Sequence, residues 1–173
     1  MKKKIVLIGM MGSGKTTVGK VLSKILKLNF VDTDILIEKK WGLKITKIFD
    51  KYGEKYFRRK EEKIVSKILC YKSPFVISLG GGVFLNKNLQ KQILKKTISI
   101  WLKPSFKTIY DRCKKSNHRP LIENKNDLRF NLKKLIKKRY PIYSKANITV
   151  NLNNTPRVIC NNIIKKLNKI INL

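Results

Sequence analysis

Gly9 to Thr17 reads G-M-M-G-S-G-K-T-T and leaves this chain few choices of fold. The stretch fits G-x-x-x-x-G-K-[ST] through Gly9, Gly14, Lys15 and Thr16. Lys4-Ile5-Val6-Leu7-Ile8 precedes it, apolar throughout from Ile5, as a strand buried on both faces is. Val18, Val21, Leu22, Ile25 and Leu26 follow at helical spacing. A glycine-rich turn between a buried strand and a helix is the setting of a phosphate-binding loop. Its glycines let successive N–H groups converge on phosphate oxygens, and the helix N-terminus adds partial positive charge. Gly12, Ser13, Gly14, Lys15, Thr16 and Thr17 are therefore candidate ATP contacts, with Lys15 reaching the β/γ-phosphates and Thr16 offering its hydroxyl to Mg²⁺. The motif implies a nucleoside triphosphate site and leaves open what receives the phosphate.

A chain of 173 residues suits one domain and buries roughly 70% of its unfolded surface. No apolar run approaches the ~18 residues of a membrane span, and Met1-Lys2-Lys3-Lys4 leads into the first strand without room for a signal peptide. Cys70, Cys113 and Cys160 are scattered and His118 is the single histidine, which argues against a zinc site and for a reduced, cytoplasmic protein. The formal charge of +31 invites a nucleic-acid reading. The lysines, however, run along the whole chain and accompany abundant isoleucine and asparagine, all encoded by A/T-rich codons. Codon bias accounts for all three residue types; a nucleic-acid site accounts only for lysine. The expectation is no specific nucleic-acid partner, with weak attraction to polyanions at low salt.

The first helix is expected to end near Lys27, where Asn29 can cap it. Phe30-Val31 reads as a short strand running into Asp32-Thr33-Asp34, and Ile35 to Trp41 as a helical turn stopped by Gly42. Thr46 to Tyr52 starts a helix that Gly53 interrupts. From Glu54 to about Lys72, Phe57, Glu61, Ile64, Val65, Ile68 and Leu69 recur at helical spacing, with one charged residue on the apolar stripe. Phe75 to Leu79 is a buried strand that empties into Gly80-Gly81-Gly82, Asn86 caps a helix to Lys96, and Ile98 to Leu102 is a fourth strand closed by Pro104. Ser105 to Lys115 is helical, and Ser116 to Asn126 is polar and aperiodic, a candidate mobile loop. Asp127 can cap a helix to Arg139, ending before Pro141. Ile148 to Leu152 is the fifth strand, and Thr155-Pro156 opens a last helix lined by Ile159, Ile163, Leu167 and Ile170.

Alternating strands and helices predict an α/β fold, one domain over residues 1–173 with a five-stranded parallel sheet flanked by helices on both faces. Ligands in such sheets bind beyond the carboxyl ends of the strands, which singles out Gly9–Thr16, Asp32–Asp34 and Gly80–Gly82. Asp32 and Asp34 stand among only ten acidic residues and can divide two tasks, one near Mg²⁺ beside Thr16 and one facing the acceptor. Arginine is scarce beside lysine, and its guanidinium offers a planar bidentate fork that an ammonium lacks. Arg58 could equally pair with Glu61 or Glu62 on its own helix.

At these motifs the chain resembles the shikimate kinase family across nearly its full length. Gly9–Thr17 is similar to that family's P-loop, Asp32-Thr33-Asp34 to its D-[ST]-D motif, and Phe57-Arg58-Arg59-Lys60-Glu61-Glu62 to its F-R-x-x-E segment. Leu79-Gly80-Gly81-Gly82 matches its triple glycine, Arg119-Pro120-Leu121 its lid motif, and Lys138-Arg139-Tyr140-Pro141-Ile142-Tyr143 its R-x-P-[LI]-Y segment. The resemblance implies Mg²⁺-dependent transfer of the ATP γ-phosphate to the 3-hydroxyl of shikimate by a cytoplasmic monomer, on the chorismate route to the aromatic amino acids. Carried over by position, Thr16 and Asp32 would serve Mg²⁺, Asp32 through water. Asp34 would hold the shikimate hydroxyls and orient or deprotonate the attacking one, Arg58 and Arg139 would clamp the carboxylate, and Gly81 would present its N–H to a substrate hydroxyl. Lys15, Asp34 and Arg119 would be the catalytic groups, with Arg119 on a lid over about residues 113–127 and Arg112 neutralising the ATP phosphates. The acceptor-binding helical segment would span about residues 33–61. Asn153 and Asn154 occupy the region where many relatives approach adenine with arginine or glutamine, which makes Asn154 the candidate there. Trp41 and Trp101 read as packing residues, and the cysteines as small core or helix residues.

Two other readings compete. A gluconate or nucleoside monophosphate kinase would share the phosphate loop, sheet and lid, but a nucleobase needs a stacking or amide-lined slot where an arginine pair suits an acid. A non-enzymatic nucleic-acid-binding protein rests on the charge alone.

Overall fold

All four residues of β1 (Ile5–Ile8) are buried, Ile5 and Leu7 within one hydrophobic layer and Val6 and Ile8 within the other, so the strand sits at the centre of a covered sheet. The computed structural model describes residues 4–115, 127–152 and 154–171. After β1 come α1 (Lys15–Leu26), β2 (Asn29–Asp32), α2 (Thr33–Trp41), α3 (Ile45–Leu69), β3 (Phe75–Ser78) and a 3₁₀ turn at Val83–Leu85. The chain continues through α4 (Lys87–Lys96), β4 (Ile98–Lys103), α5 (Phe106–Lys114), α6 (Leu128–Tyr143), β5 (Ile148–Asn151) and α7 (Pro156–Ile171). The strands form one parallel sheet in the order β2-β3-β1-β4-β5. The sequence-predicted α/β fold and five parallel strands are therefore present.

One sheet face packs on α1 and α7 through Val18, Leu22, Ile159, Ile163 and Leu167. The other packs on α3, α4, α5 and α6, with Phe57, Val65, Ile93, Ile109, Leu132 and Tyr143 against Val6, Ile8, Ile77 and Trp101. Trp101 is buried and Trp41 half-buried in this second layer, both as packing residues. The parallel register aligns the strand ends: Asp32 stands opposite Ser78, Leu7 opposite Ser78 and Ile100, and Ile8 opposite Trp101. The Leu79 N–H donates to Leu7 O at 3.1 Å, pairing β3 with β1 up to the first glycine of the triplet. Gly9–Thr16, Asp32–Asp34 and Gly80–Gly82 thus leave one edge of the sheet side by side.

Several boundaries differ from the sequence expectation. Asn29 does not cap α1; Lys27, at φ 53°, turns the chain so that the N–H groups of Lys27 and Leu28 close the helix on Lys24 O and Ser23 O, and Asn29 already belongs to β2. Helix α2 starts at Thr33 rather than Ile35, because the Asp32 carboxylate accepts from the N–H groups of Asp34 and Ile35 and so caps it. Gly53, at φ 75° and ψ 164°, breaks α3 as expected, in a conformation that only glycine adopts readily. Asp127 precedes α6 but its side chain makes no capping bond. Helix α6 runs through Pro141 to Tyr143. The proline falls in the last turn, where few intrahelical bonds are at stake, and fully buried Tyr143 anchors the end. Cys113 and Cys160 are buried, whereas Cys70 is exposed where α3 ends.

Candidate active site

A cleft of about 790 Å³ lies over the carboxyl edge of the sheet. Gly12 to Thr17, Asp32, Asp34, Arg58, Gly81, Arg112, Arg139 and Asn154 all line it. All the candidate residues that the structure describes therefore share one cavity. Arg119 lies outside the described residues, as do positions 116–126 of the expected lid; residues up to Lys114 belong to α5.

Gly14, at φ 80°, lets the loop turn directly into α1, whose first residue is Lys15. The Lys15 ammonium donates to the carbonyls of Gly9 and Met10, each at 3.0 Å, and so is held over the loop. Ser13 is fully buried, and its hydroxyl has no hydrogen-bond partner. Thr16 Oγ1 donates to Asp32 Oδ2 at 2.7 Å, while the other Asp32 oxygen caps α2. One carboxylate thereby joins the glycine-rich loop to the start of α2. Arg112 Nη1 donates to Gly12 O at 2.9 Å, reaching across from α5. Asn154 is exposed at the mouth of the cleft near Pro156.

Among the described residues only two charged side chains are buried, Glu61 and Arg139, and both line this cleft. The triple glycine admits them. A Cβ on Gly80 would stand 2.7 Å from both Asp34 Oδ1 and Glu61 Oε1; one on Gly81, 3.4 Å from Arg139 Nη1; and one on Gly82, 2.5 Å from Arg58 Nη1. Gly80 and Gly82 therefore leave the space that Asp34, Glu61 and Arg58 occupy, while Arg139 lies at ordinary contact distance from Gly81. Arg58 Nη1 donates to Glu61 Oε2 at 2.6 Å and Arg58 Nε to Glu54 Oε1 at 3.2 Å, so the helical ion pair weighed from the sequence is made. The same guanidinium still faces Gly82, and pairing within the helix serves to aim it. Burial raises the Asp34 carboxyl to about 6, with the Lys15 charge opposing the rise. Burial likewise raises Glu61 to about 7 against the pull of Arg58. Arg139 Nε has no hydrogen-bond partner, and among the described residues no carboxylate forms an ion pair with Arg139. A buried cation with no counter-charge among the described residues, beside a polar turn, can receive an anionic group.

Sequence reasoning missed three contributors. Thr33 Oγ1 donates to Ser78 O at 3.2 Å and accepts from Gly80 N–H at 2.9 Å, which ties the Asp-Thr-Asp turn to the glycine triplet. Its hydroxyl between two aspartates gave no signal of that bond. Glu61 is part of the cleft wall; its signal was the one charge on an apolar helical stripe. Phe49 and Phe57, 4.7 Å apart between ring centroids, supply an apolar wall beside Arg58 that periodicity could not distinguish from core.

A family model described as shikimate kinase matches residues 11–168. A shikimate kinase of Thermodesulfovibrio yellowstonii is 40% identical over 171 residues, covering 98% of this chain and 98% of that protein. A shikimate kinase of Bartonella henselae is 39% identical over 164 residues, covering 94% of this chain and 77% of that protein. A solved shikimate kinase from Acinetobacter baumannii, in complex with shikimate, superposes with a TM-score of 0.92 at 30% identity, over 98% of this chain and 94% of that one. Full-length similarity in sequence, architecture and loop arrangement gives one conclusion: the chain belongs to the shikimate kinase family, ATP-dependent kinases that act on a hydroxyl group of shikimate.

Proposed function

We propose that this cleft transfers the γ-phosphoryl group of ATP to the 3-hydroxyl of shikimate with the residues that match the family motifs by position. One observation carries the assignment of the acceptor end. Buried Arg139, without a carboxylate partner among the described residues, shares a polar pocket with Arg58 and with a carboxyl group, Asp34, whose proton affinity suits a base. Shikimate offers one carboxylate and three hydroxyls to such a pocket. The two guanidinium groups bind the carboxylate, Gly81 N–H meets a hydroxyl, and Asp34 orients the 3-hydroxyl. As that oxygen attacks the γ-phosphorus, Asp34 takes its proton, the bond from the γ-phosphorus to the bridging oxygen breaks, and ADP leaves. Phosphoryl transfer needs positioning and charge neutralisation more than covalent chemistry. Lys15 and Arg112 supply positive charge from the phosphate loop side, Arg119 is assigned the same task from the lid, and Asn154 is assigned to the adenine end.

The donor set around Thr16 suits Mg²⁺. A hydroxyl and a carboxylate oxygen, 2.7 Å apart, are hard ligands too few for an all-protein cage, as expected for an ion that retains waters and takes phosphate oxygens. When bound, Mg²⁺ would neutralise the β- and γ-phosphate oxygens. The proposed working state is a cytoplasmic monomer without a specific nucleic-acid partner; a single species of about 20.2 kDa in light scattering would fit it, and a stable dimer would not.

The deciding assay is ADP release with ATP and Mg²⁺, with shikimate, gluconate or nucleoside monophosphates as acceptor. Release with shikimate alone is the expected result; release only with another acceptor overturns the assignment of Arg58, Arg139 and Gly81. Two further outcomes follow from geometry. Arg58→Lys and Arg139→Lys are each expected to raise the shikimate KM about tenfold or more with the ATP KM nearly unchanged, because a point charge cannot reproduce a bidentate fork. Gly82→Ala places a methyl group 2.5 Å from Arg58 Nη1. A flexible arginine end yields easily, so Tm should move by only a few degrees, while displacement of Arg58 raises the shikimate KM by about tenfold. Steady-state kinetics with a thermal melt checks both.

A further inference from the structure

Tyr143 has no part in the reaction above, yet its hydroxyl sits where two acceptor-site elements meet. The side chain is fully buried, its ring packed on Trp101 with centroids 6.0 Å apart. Its hydroxyl donates to the Gly81 carbonyl. The Arg139 guanidinium interacts with the same hydroxyl and opposes the upward push that burial gives the phenol. Arg139 and Tyr143 lie four residues apart in α6 and so share a helix face, a consequence of the helix continuing through Pro141. The guanidinium in turn lies against the glycine turn, 3.4 Å from where a Gly81 Cβ would stand.

We infer that Tyr143 is a positioning residue for the acceptor's carboxylate: its hydroxyl joins the Gly81 carbonyl and the Arg139 guanidinium into one cradle and fixes the direction from which the buried cation meets an acid. A phenol has one proton and two lone pairs. With the proton committed to Gly81 O, the lone pairs are left to accept from Arg139. A neutral partner orients the guanidinium without cancelling its charge. Arg58, by contrast, is held by the carboxylates of Glu54 and Glu61. With no carboxylate partner among the described residues, the charge of Arg139 is thereby reserved for the ligand, and Gly81 is held in register with it.

The inference rests on the reading of Arg139 as a carboxylate contact, and the test separates the two. Tyr143→Phe removes only the hydroxyl. Kinetics would be measured with shikimate, and dissociation constants determined by calorimetry for shikimate and for its carboxamide, which has the same shape without the charge. Both would be repeated in an Arg139→Met background. The expected result for Tyr143→Phe is a shikimate KM raised about tenfold, kcat and ATP KM changed less than about threefold, and the preference for acid over amide reduced about tenfold. In the Arg139→Met background Tyr143→Phe should add little. Equal weakening of acid and amide, an unchanged shikimate KM, or an undiminished further loss in the Arg139→Met background overturns the inference in favour of a packing role. If Arg139→Met alone keeps the wild-type preference for the acid, the reading of Arg139 fails first. Should Tyr143→Phe not fold, 3-fluorotyrosine at position 143, assayed at about pH 6.5 where it stays protonated, keeps the hydroxyl but weakens its oxygen as an acceptor. It should raise the shikimate KM with the same acid-selective signature, and an unchanged KM would overturn the inference.

Discussion

Asp34→Asn is expected to lower kcat with shikimate by about 10²–10⁴-fold, the range for loss of a positioned general base, with the ATP KM nearly unchanged. Asp34 lies in the first turn of α2, beside Asp32 and within the space left by Gly80. Its carboxyl, raised to about 6 by burial, is ionised at neutral pH yet basic enough to accept a proton in the transition state. In the wild type, log kcat/KM should fall as Glu61 takes up a proton near pH 7 and fall further below about pH 6 as Asp34 does, and Asp34→Asn should lack the second, lower part of that acid limb. The same shift carries a stability cost of known sign. A carboxyl whose folded pKa lies above its ordinary value of 3.8 binds more protons when folded than when unfolded between those values, so it costs stability as pH rises from about 4 to about 6. Asp34→Asn should therefore melt at or above the wild-type temperature at pH 7 while losing activity. Activity within tenfold of wild type would remove Asp34 from the role of base.

Lys15→Met is expected to cut kcat by about 10³-fold, the upper range for loss of one preorganised donor to developing charge. Its ammonium rests on the carbonyls of Gly9 and Met10, positioned at the start of α1. Met keeps the stem's length and apolar packing, so circular dichroism and Tm should stay close to wild type. The Lys15 charge also opposes the rise of the Asp34 carboxyl. Its removal should move the Asp34 part of the acid limb of the residual kcat/KM profile above about pH 6, a displacement visible even at low activity. A full-rate variant, or a slow one whose acid limb does not move, would detach Lys15 from the charge balance of the cleft.

Local signals account for most of the architecture. The buried run of β1, the Asn86 cap of α4 and the Pro156 start of α7 are each specified by residues within a few positions of one another, which is why they can be read without a model. The places where local reading failed are those where backbone or distant packing overrides it. Lys27 ends α1 with its own backbone, and α6 passes Pro141 because the burial of Tyr143 outweighs one lost helical bond.

The sequence by itself determined the α/β class, the phosphate loop, the order of the strands along the chain and the residue types that can face ATP and an acid, because motifs and periodicities are properties of neighbours in the chain. Only the tertiary structure decided that β1 lies between β3 and β4, so that three loops far apart in sequence leave one sheet edge together. Only it showed that Gly80 and Gly82 make room for charged side chains, that Thr33 and Tyr143 hold that turn from two sides, and that Arg139 is buried without a carboxylate among the described residues. These contacts join residues far apart in the chain, 47 positions between Thr33 and Gly80 and 62 between Gly81 and Tyr143. Burial, desolvation and hydrogen bonding act through space, and no spacing along the chain encodes them.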